Sequence, residues 1–289
     1  MLQSTREVEI IRLSRTGGEF HAHRVPADEL ARSLAKPTLR AEPILDGIFA
    51  EAIVIVEADG DRLAYHTTWE TLAGELRLDV HFVAVGGTGG IADACQLYRT
   101  LDIPVVVIAD LDLLTDPPRL CRILEVMADP EEVGRLVAQA RKVMEQVRNL
   151  HPTIDPAAYK IRLAEINALP TDWRATNDRA IRMQLISLSN DLNRMRRLKT
   201  GISSLPPEVA APLGELVKAL KKVGLFLVPV GELEQWLKPE QVPTSRANKA
   251  AWASAAAEYI QSKGTAADGI WDFIRDVGHQ LDQRRRTDT

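Results

Sequence analysis

The sequence predicts an α/β fold, a parallel sheet with a helical block set into it. Three observations predict it. Ile53-Val54-Ile55-Val56, Val80–Val85 and Pro104–Ile108 are short, continuous, β-branched apolar runs, the pattern of strands covered on both faces. Helical periods over about 61–76 and over 91–100 separate them, and strand–helix–strand alternation with short connections builds a right-handed parallel sheet. A fourth strand-like run, 224–230, comes only after a long helical stretch, so that stretch reads as an insertion.

The remaining elements follow in order. Residues 7–25 read as a β-hairpin: Val8 and Ile10 alternate with polar residues, Thr16-Gly17-Gly18 supplies the turn, and Glu19–Val25 returns. Leu30–Leu39 reads as a short helix. Gly86-Gly87-Thr88-Gly89-Gly90 is a tight glycine loop between the second strand and the 91–100 helix. Residues 118–150 and 156–200 have helical spacing, and Pro206-Pro207 and Pro212 mark a break before a helix over 213–222. The tail from Ser245 to Arg286 reads as two helices. These boundaries divide the chain into 1–50, a hairpin and helix; 51–125, the first part of the sheet; 126–212, the helical insertion; 213–242, the return strand and helix; and 243–289, the C-terminal helices.

Composition narrows the class. The 289 residues are 45% hydrophobic and 26% charged, ordinary globular values that disfavour disorder and fibrous folds. Two cysteines, Cys95 and Cys121, supply neither a disulfide framework nor a four-ligand zinc site and fit a reducing, cytoplasmic compartment. The N-terminal residues lack the apolar core of a signal peptide, and no apolar run reaches the ~20 residues that span a bilayer. The net charge of −4 speaks against a dedicated DNA-binding surface, but the charge is segregated. Between Arg141 and Thr200 twelve Lys and Arg face six Asp and Glu, a local balance of +6 that leaves −10 for the rest. Such segregation concerns partners rather than fold.

The acids point to chemistry. Glu57 sits at the carboxyl end of the first buried strand, and Asp110 and Asp112 at that of the third, where open parallel sheets bind ligands. Two-residue spacing puts both aspartates on one face. Asp61 stands at the start of the following helix above the same edge; taken alone it is a helix N-terminal acid favoured by the dipole. Four carboxylates gathered without a basic neighbour repel one another strongly at low dielectric, and hard divalent cations remove that repulsion. Glu232 and Glu234 follow the fourth strand with the same spacing and serve either a second cation or a helix N-terminus. No Gly-x-x-x-x-Gly-Lys-[Ser/Thr] occurs. Gly87-x-Gly89-x-x-Ala92 matches a relaxed dinucleotide fingerprint, which makes a dinucleotide-binding module the main alternative.

With these residues in place, Ala52–Leu114 resembles a TOPRIM domain, whose hallmarks are a glutamate after the first strand and Asp-x-Asp after the third: here Glu57 and Asp110-Leu111-Asp112. Within that group Val56-Glu57-Ala58-Asp59-Gly60-Asp61, Val85-Gly86-Gly87, Ile103–Asp112 and Val230-Gly231-Glu232-Leu233-Glu234-Gln235-Trp236-Leu237 resemble nucleases of the OLD (overcoming lysogenisation defect) family. Ala58 departs from the glycine usual there. The resemblance implies a metal-dependent DNA endonuclease using two Mg²⁺ or Mn²⁺ ions, roughly 3.5–4 Å apart, on the scissile phosphate. Glu57, Asp61, Asp110 and Asp112 would be catalytic metal ligands, and Glu232 and Glu234 would serve the second ion. A downstream lysine would stabilise transition-state charge; Lys249 is the choice and Lys263 the reserve. Arg194, Arg196, Arg197 and Lys199, with the Arg284-Arg285-Arg286 run, would hold the DNA backbone without reading sequence. The family also implies an ABC-type ATPase module as partner, in cis or in trans, with residues 7–50 resembling its end; self-association is left open and no membrane partner is expected. A third reading is a non-catalytic interaction module of a phage-defence complex.

Overall fold

The computed structural model describes residues 10–16, 19–26, 28, 39, 42–151, 154–170, 175–246 and 248–287. Four parallel strands form the central sheet: β3 (Ala52–Val56), β4 (Val80–Ala84), β5 (Val105–Ala109) and β6 (Leu225–Leu227). Their order is β4-β3-β5-β6. The chain runs from β3 outward to β4, then crosses back over β3 to β5, so the order reverses between β3 and β5. At that reversal the helices leave opposite faces and a crevice opens at the carboxyl ends. The expected hairpin forms as β1 (Ile10–Thr16) and β2 (Glu19–Val25), paired antiparallel from Ile10↔Val25 to Thr16↔Glu19. Its glycine turn and the expected helix over 30–39, Leu39 apart, lie outside the described residues.

Strand alternation divides the core. Ile53, Ile55, Val105 and Val107 pack one face with α3 (Ile91–Thr100), α4 (Pro117–Met127), α5 (Pro130–Arg148) and α8 (Pro207–Lys222). Ala52, Val54, Val56, Val106 and Ile108 pack the other with α2 (Asp59–Thr71), α9 (Lys249–Lys263) and α10 (Gly269–Thr287). The short α1 (Glu42–Asp46) precedes β3. All five residues of β3 and of β5 are buried, which is why their sequences are uninterrupted apolar runs.

The chain leaves the sheet after β5 and returns at β6. Between them lie α4, α5, α6 (Pro156–Asn167), α7 (Ala175–Leu192) and α8, with a 3₁₀ helix over Arg194–Thr200. Proline starts helices here instead of breaking them: Pro207 occupies the first turn of α8, where its missing N–H costs nothing. Pro212 lies inside α8, so the helix begins six residues earlier than the sequence pattern predicts. The strand expected over 224–230 shortens to β6, and residues 228–231 turn toward the sheet edge.

Backbone-to-backbone packing fastens that edge. Gly231 has φ +105°, and a Cβ there would overlap the carbonyls of Lys199 and Leu198. Gly201, with φ +87°, lies so close to Val230 that a Cβ would stand 2.6 Å from its carbonyl carbon. The Ile202 N–H donates to the Pro229 carbonyl at 2.9 Å, and the Leu111 N–H donates to the Gly231 carbonyl at 3.1 Å. Three distant segments, 110–112, 198–202 and 229–232, are thus joined through their main chains. Gly231→Ala is expected to cost roughly 2–5 kcal/mol, from strained φ and overlap together, measured as a lower urea midpoint; Gly134→Ala, with open space around it inside α5, is the control and is expected to raise the midpoint slightly, because alanine is favoured over glycine in a helix.

Candidate active site

Glu57 directly follows β3, and the Gly87 N–H donates to its carbonyl at 2.8 Å. Asp61 stands in the first turn of α2 and accepts a hydrogen bond from the Ala58 N–H at 3.0 Å. It therefore caps the helix, as an N-terminal acid should, while facing the sheet edge. Asp110 follows β5 in extended conformation. Asp112 lies in a 3₁₀ helix over Leu111–Thr115, so the two aspartates do not share a face by strand alternation; the strand has ended at Ala109. They meet at the site because the chain turns there. Glu232 precedes a short 3₁₀ helix over Leu233–Gln235, and Glu234 within it is 4% exposed.

The electrostatics follow from this crowding. Burial, then Asp61, Asp112 and Glu57, push the Asp110 carboxyl up to about 8. Burial pushes Asp61 up to about 6; the Ala58 N–H opposes this, and Glu57 and Glu234 add to it. Glu57 is raised by burial and by Asp112, with Lys249, Arg119 and Lys199 pulling the other way. Among the described residues no ion pair involves Glu57, Asp61 or Asp110. Beside them lies Tyr65, fully buried, whose hydroxyl accepts a hydrogen bond from Trp236 Nε1 at 3.3 Å. Burial, and then Asp61 and Asp110, hold that hydroxyl well above its ordinary range.

The sequence pattern suggested carboxylates without a basic neighbour, and the structure corrects this with two lysines. Lys249, the first residue of α9, stands 3.5 Å from Glu234 Oε1. A lysine is disfavoured by the dipole at a helix N-terminus, so its place reflects the acids it faces. Partial burial would lower its ammonium, but Glu234, Glu232 and Asp110 outweigh that and hold it above its ordinary value. Lys263 closes the same helix about 21 Å away along the axis and does not reach the site. Lys199 is the residue sequence reasoning misplaced: its Nζ is 3.5 Å from Asp112 Oδ2 and 3.4 Å from Glu232 Oε2. It belongs to the acid cluster and is separated from the arginines beside it. Arg194 Nε donates to the Leu150 carbonyl at 2.5 Å and Arg197 Nη2 to the His151 carbonyl at 2.9 Å, both just past α5; Arg196 is exposed. Arg285 pairs with Glu51 and Asp282, and Arg284 packs over Gly224. Both contacts are at the amino ends of the strands, about 16 Å from the acids.

The donor set suits hard divalent cations in chemistry and place: oxygen ligands only, in excess, with two carboxyls that burial keeps partly protonated. As the side chains stand, no three His, Cys, Asp or Glu among the described residues are arranged to hold a metal ion. Lys199 stands against Asp112 and Glu232, and Lys249 against Glu234.

Comparison with known proteins addresses the same segment. The family described as "Overcoming lysogenization defect protein-like, TOPRIM domain" matches residues 48–112. The segment is an OLD-like TOPRIM domain. The matched residues include Glu57, Asp110 and Asp112, whose geometry is given above. Among solved structures, the C-terminal region of the Burkholderia pseudomallei OLD protein is similar at 19% identity and a TM-score of 0.37, covering 83% of this chain and all of that one. The C-terminal region of the Xanthomonas campestris pv. campestris OLD protein is similar at 16% identity and a TM-score of 0.34, covering 83% of this chain and 97% of the other. A search of curated proteins found no match. No helix among the described residues is long and apolar enough to cross a membrane.

The raised carboxyls set a pH dependence. A carboxyl whose folded value exceeds its unfolded one stabilises the fold below the unfolded value and loses that contribution as pH rises through the folded one. For Asp61 and Asp110 the loss runs from about pH 4 to about pH 8. The metal-free protein is expected to melt at lower temperature near pH 9 than near pH 5, and Asp110→Asn to flatten that fall. Excess Mn²⁺ should raise the melting temperature more at the higher pH; calorimetry at both pH values checks this.

Proposed function

We propose that this chain is a divalent-metal-dependent DNA endonuclease of the OLD type, hydrolysing phosphodiesters at the carboxyl edge of its sheet. One observation carries the reading: carboxylates from the ends of β3 and β5 and from the segment after β6 crowd one edge at the strand-order reversal, with Lys199 and Lys249 beside them. Mg²⁺ or Mn²⁺, bound as a pair, would supply positive charge to the scissile phosphate and to the oxygens that attack and leave. Glu57, Asp61, Asp110 and Asp112 would hold the ions, with Glu232 and Glu234 completing the second position. Asp61 has a further task, since its bond to Ala58 fixes the turn that presents Glu57. Lys249 would face the phosphate from the side of Glu234 and stabilise charge there. The exposed Arg196, with Arg194 and Arg197, would contact the DNA backbone through phosphates alone. DNA is the substrate in this reading, and an ABC-type ATPase module, in cis or in trans, is the partner.

The dinucleotide alternative loses support from topology. The glycine turn follows β4, the edge strand, whereas a dinucleotide sits at the reversal, one strand away. Of the fingerprint's two glycines, Gly87 is required by the turn itself, with φ +119° beside Gly86 at +67°.

Supercoiled plasmid incubated with the purified chain and Mn²⁺ is expected to be nicked, and chelation to stop the reaction. Glu57→Ala or Asp110→Ala should each lower the rate by at least about 10²-fold. Variants that cut like the parent would remove these residues from the site. Intact plasmid together with measurable NAD binding would favour the dinucleotide module, and calorimetry without divalent-metal binding would favour a non-catalytic interaction module.

A further inference from the structure

Lys199 reaches the acids from the 3₁₀ turn between α7 and α8 of the helical insertion, eighty-seven residues after Asp112, and its position is built. The carbonyls of Leu198 and Lys199 press on Gly231, where no side chain fits. Leu198 is fully buried, and Gly201 closes on Val230. The backbone of Lys199 is thereby locked to the segment that carries Glu232 and, through Leu111 and Gly231, to the one that carries Asp112. The side chain is the free part: it is 41% exposed and spans two carboxylates at 3.4 and 3.5 Å. Ion pairs this exposed are worth about 0–1 kcal/mol each, so the ammonium can leave without unfolding anything.

Resting on the endonuclease reading, we propose that Lys199 is a second catalytic lysine that exchanges partners. Without divalent ions it neutralises Asp112 and Glu232. With Asp112 and Glu232 engaged by divalent cations, the Lys199 ammonium would be released to face a non-bridging oxygen of the scissile phosphate. In the reaction a water oxygen–phosphorus bond forms and the phosphorus–O3′ bond breaks, its electron pair leaving on O3′. One water proton goes to solvent and one proton is regained at O3′. Lys199 exchanges no proton; it stabilises the charge that grows on the phosphoryl oxygens. The insertion thereby acquires a role in the chemistry, because it is the element that delivers this group. Lys249, 3.5 Å from Glu234, is tethered on a different element, so the two lysines would act on the phosphate from separate anchors.

The test uses the full chain with Lys199→Met and Lys199→Arg. Neither disturbs the backbone lock, and an unchanged melting curve checks that both fold. With supercoiled plasmid and saturating Mn²⁺, Lys199→Met is expected to lower the nicking kcat by about 10²-fold or more, and Lys199→Arg to restore part of the loss. A second readout is independent of turnover: Mn²⁺ titration without DNA, followed by electron paramagnetic resonance. There Lys199→Met is expected to bind Mn²⁺ about threefold to tenfold more tightly at low salt, because the competing ammonium is gone. Nicking by Lys199→Met within twofold of the parent would overturn the proposal while leaving the endonuclease reading intact. So would weaker Mn²⁺ binding, which would make Lys199 a residue that only orients the acids. A parent chain that binds Mn²⁺ but never nicks would overturn both.

Discussion

Like charges held together at low dielectric are the constraint around which this structure is arranged. Parallel pairing of β3 with β5 sets Glu57 and Asp110 side by side at the carboxyl edge, and α2 adds Asp61 above them. None of the three has an ion-pair partner among the described residues, and burial drives all three toward the protonated form. A fold does not gather carboxylates for stability, since each would be better solvated apart. Such an arrangement persists where a ligand of opposite charge repays it. The all-apolar strands beneath supply the rigidity that keeps the acids in place.

The lysines and glycines make sense in that light. Asp112, Glu232 and Glu234 sit on the outer side of the cluster, and Lys199 and Lys249 temper it there. Gly231 and Gly201 let three main-chain segments meet at distances that any side chain would forbid. That contact makes the helical insertion part of the site, because its 3₁₀ turn over Arg194–Thr200 is pinned to the segment after β6. The arginine run at the end of α10 lies at the opposite edge, where Arg285 and Arg286 pair with acids on their own helix or beside it.

Much of the fold was legible. Continuous β-branched runs have few alternatives to buried parallel strands, and three of the four strands are placed to within one or two residues. The helix 91–100 forms over the predicted residues. Errors fell where local signals have two meanings. Pro207 starts a helix although proline clusters usually end one, and residues 228–231 keep an apolar, strand-like sequence while turning to make the glycine contact. The Asp-x-Asp spacing suggested one strand face; the chain has already entered a 3₁₀ turn, and both side chains arrive at the site by that route.

The sequence by itself determined the parallel α/β sheet and the acids at its carboxyl edge, because strand burial and the position just past a strand are local properties written in consecutive residues. The role of Lys199 was decided only by tertiary structure. In the sequence it is one more base in a run with Arg194, Arg196 and Arg197, and nothing local separates it from them. Its neighbours Asp112 and Glu232 lie eighty-seven residues before it and thirty-three after it. Pairing over such separations depends on how the helices fold back and on a glycine contact that leaves no room for a side chain.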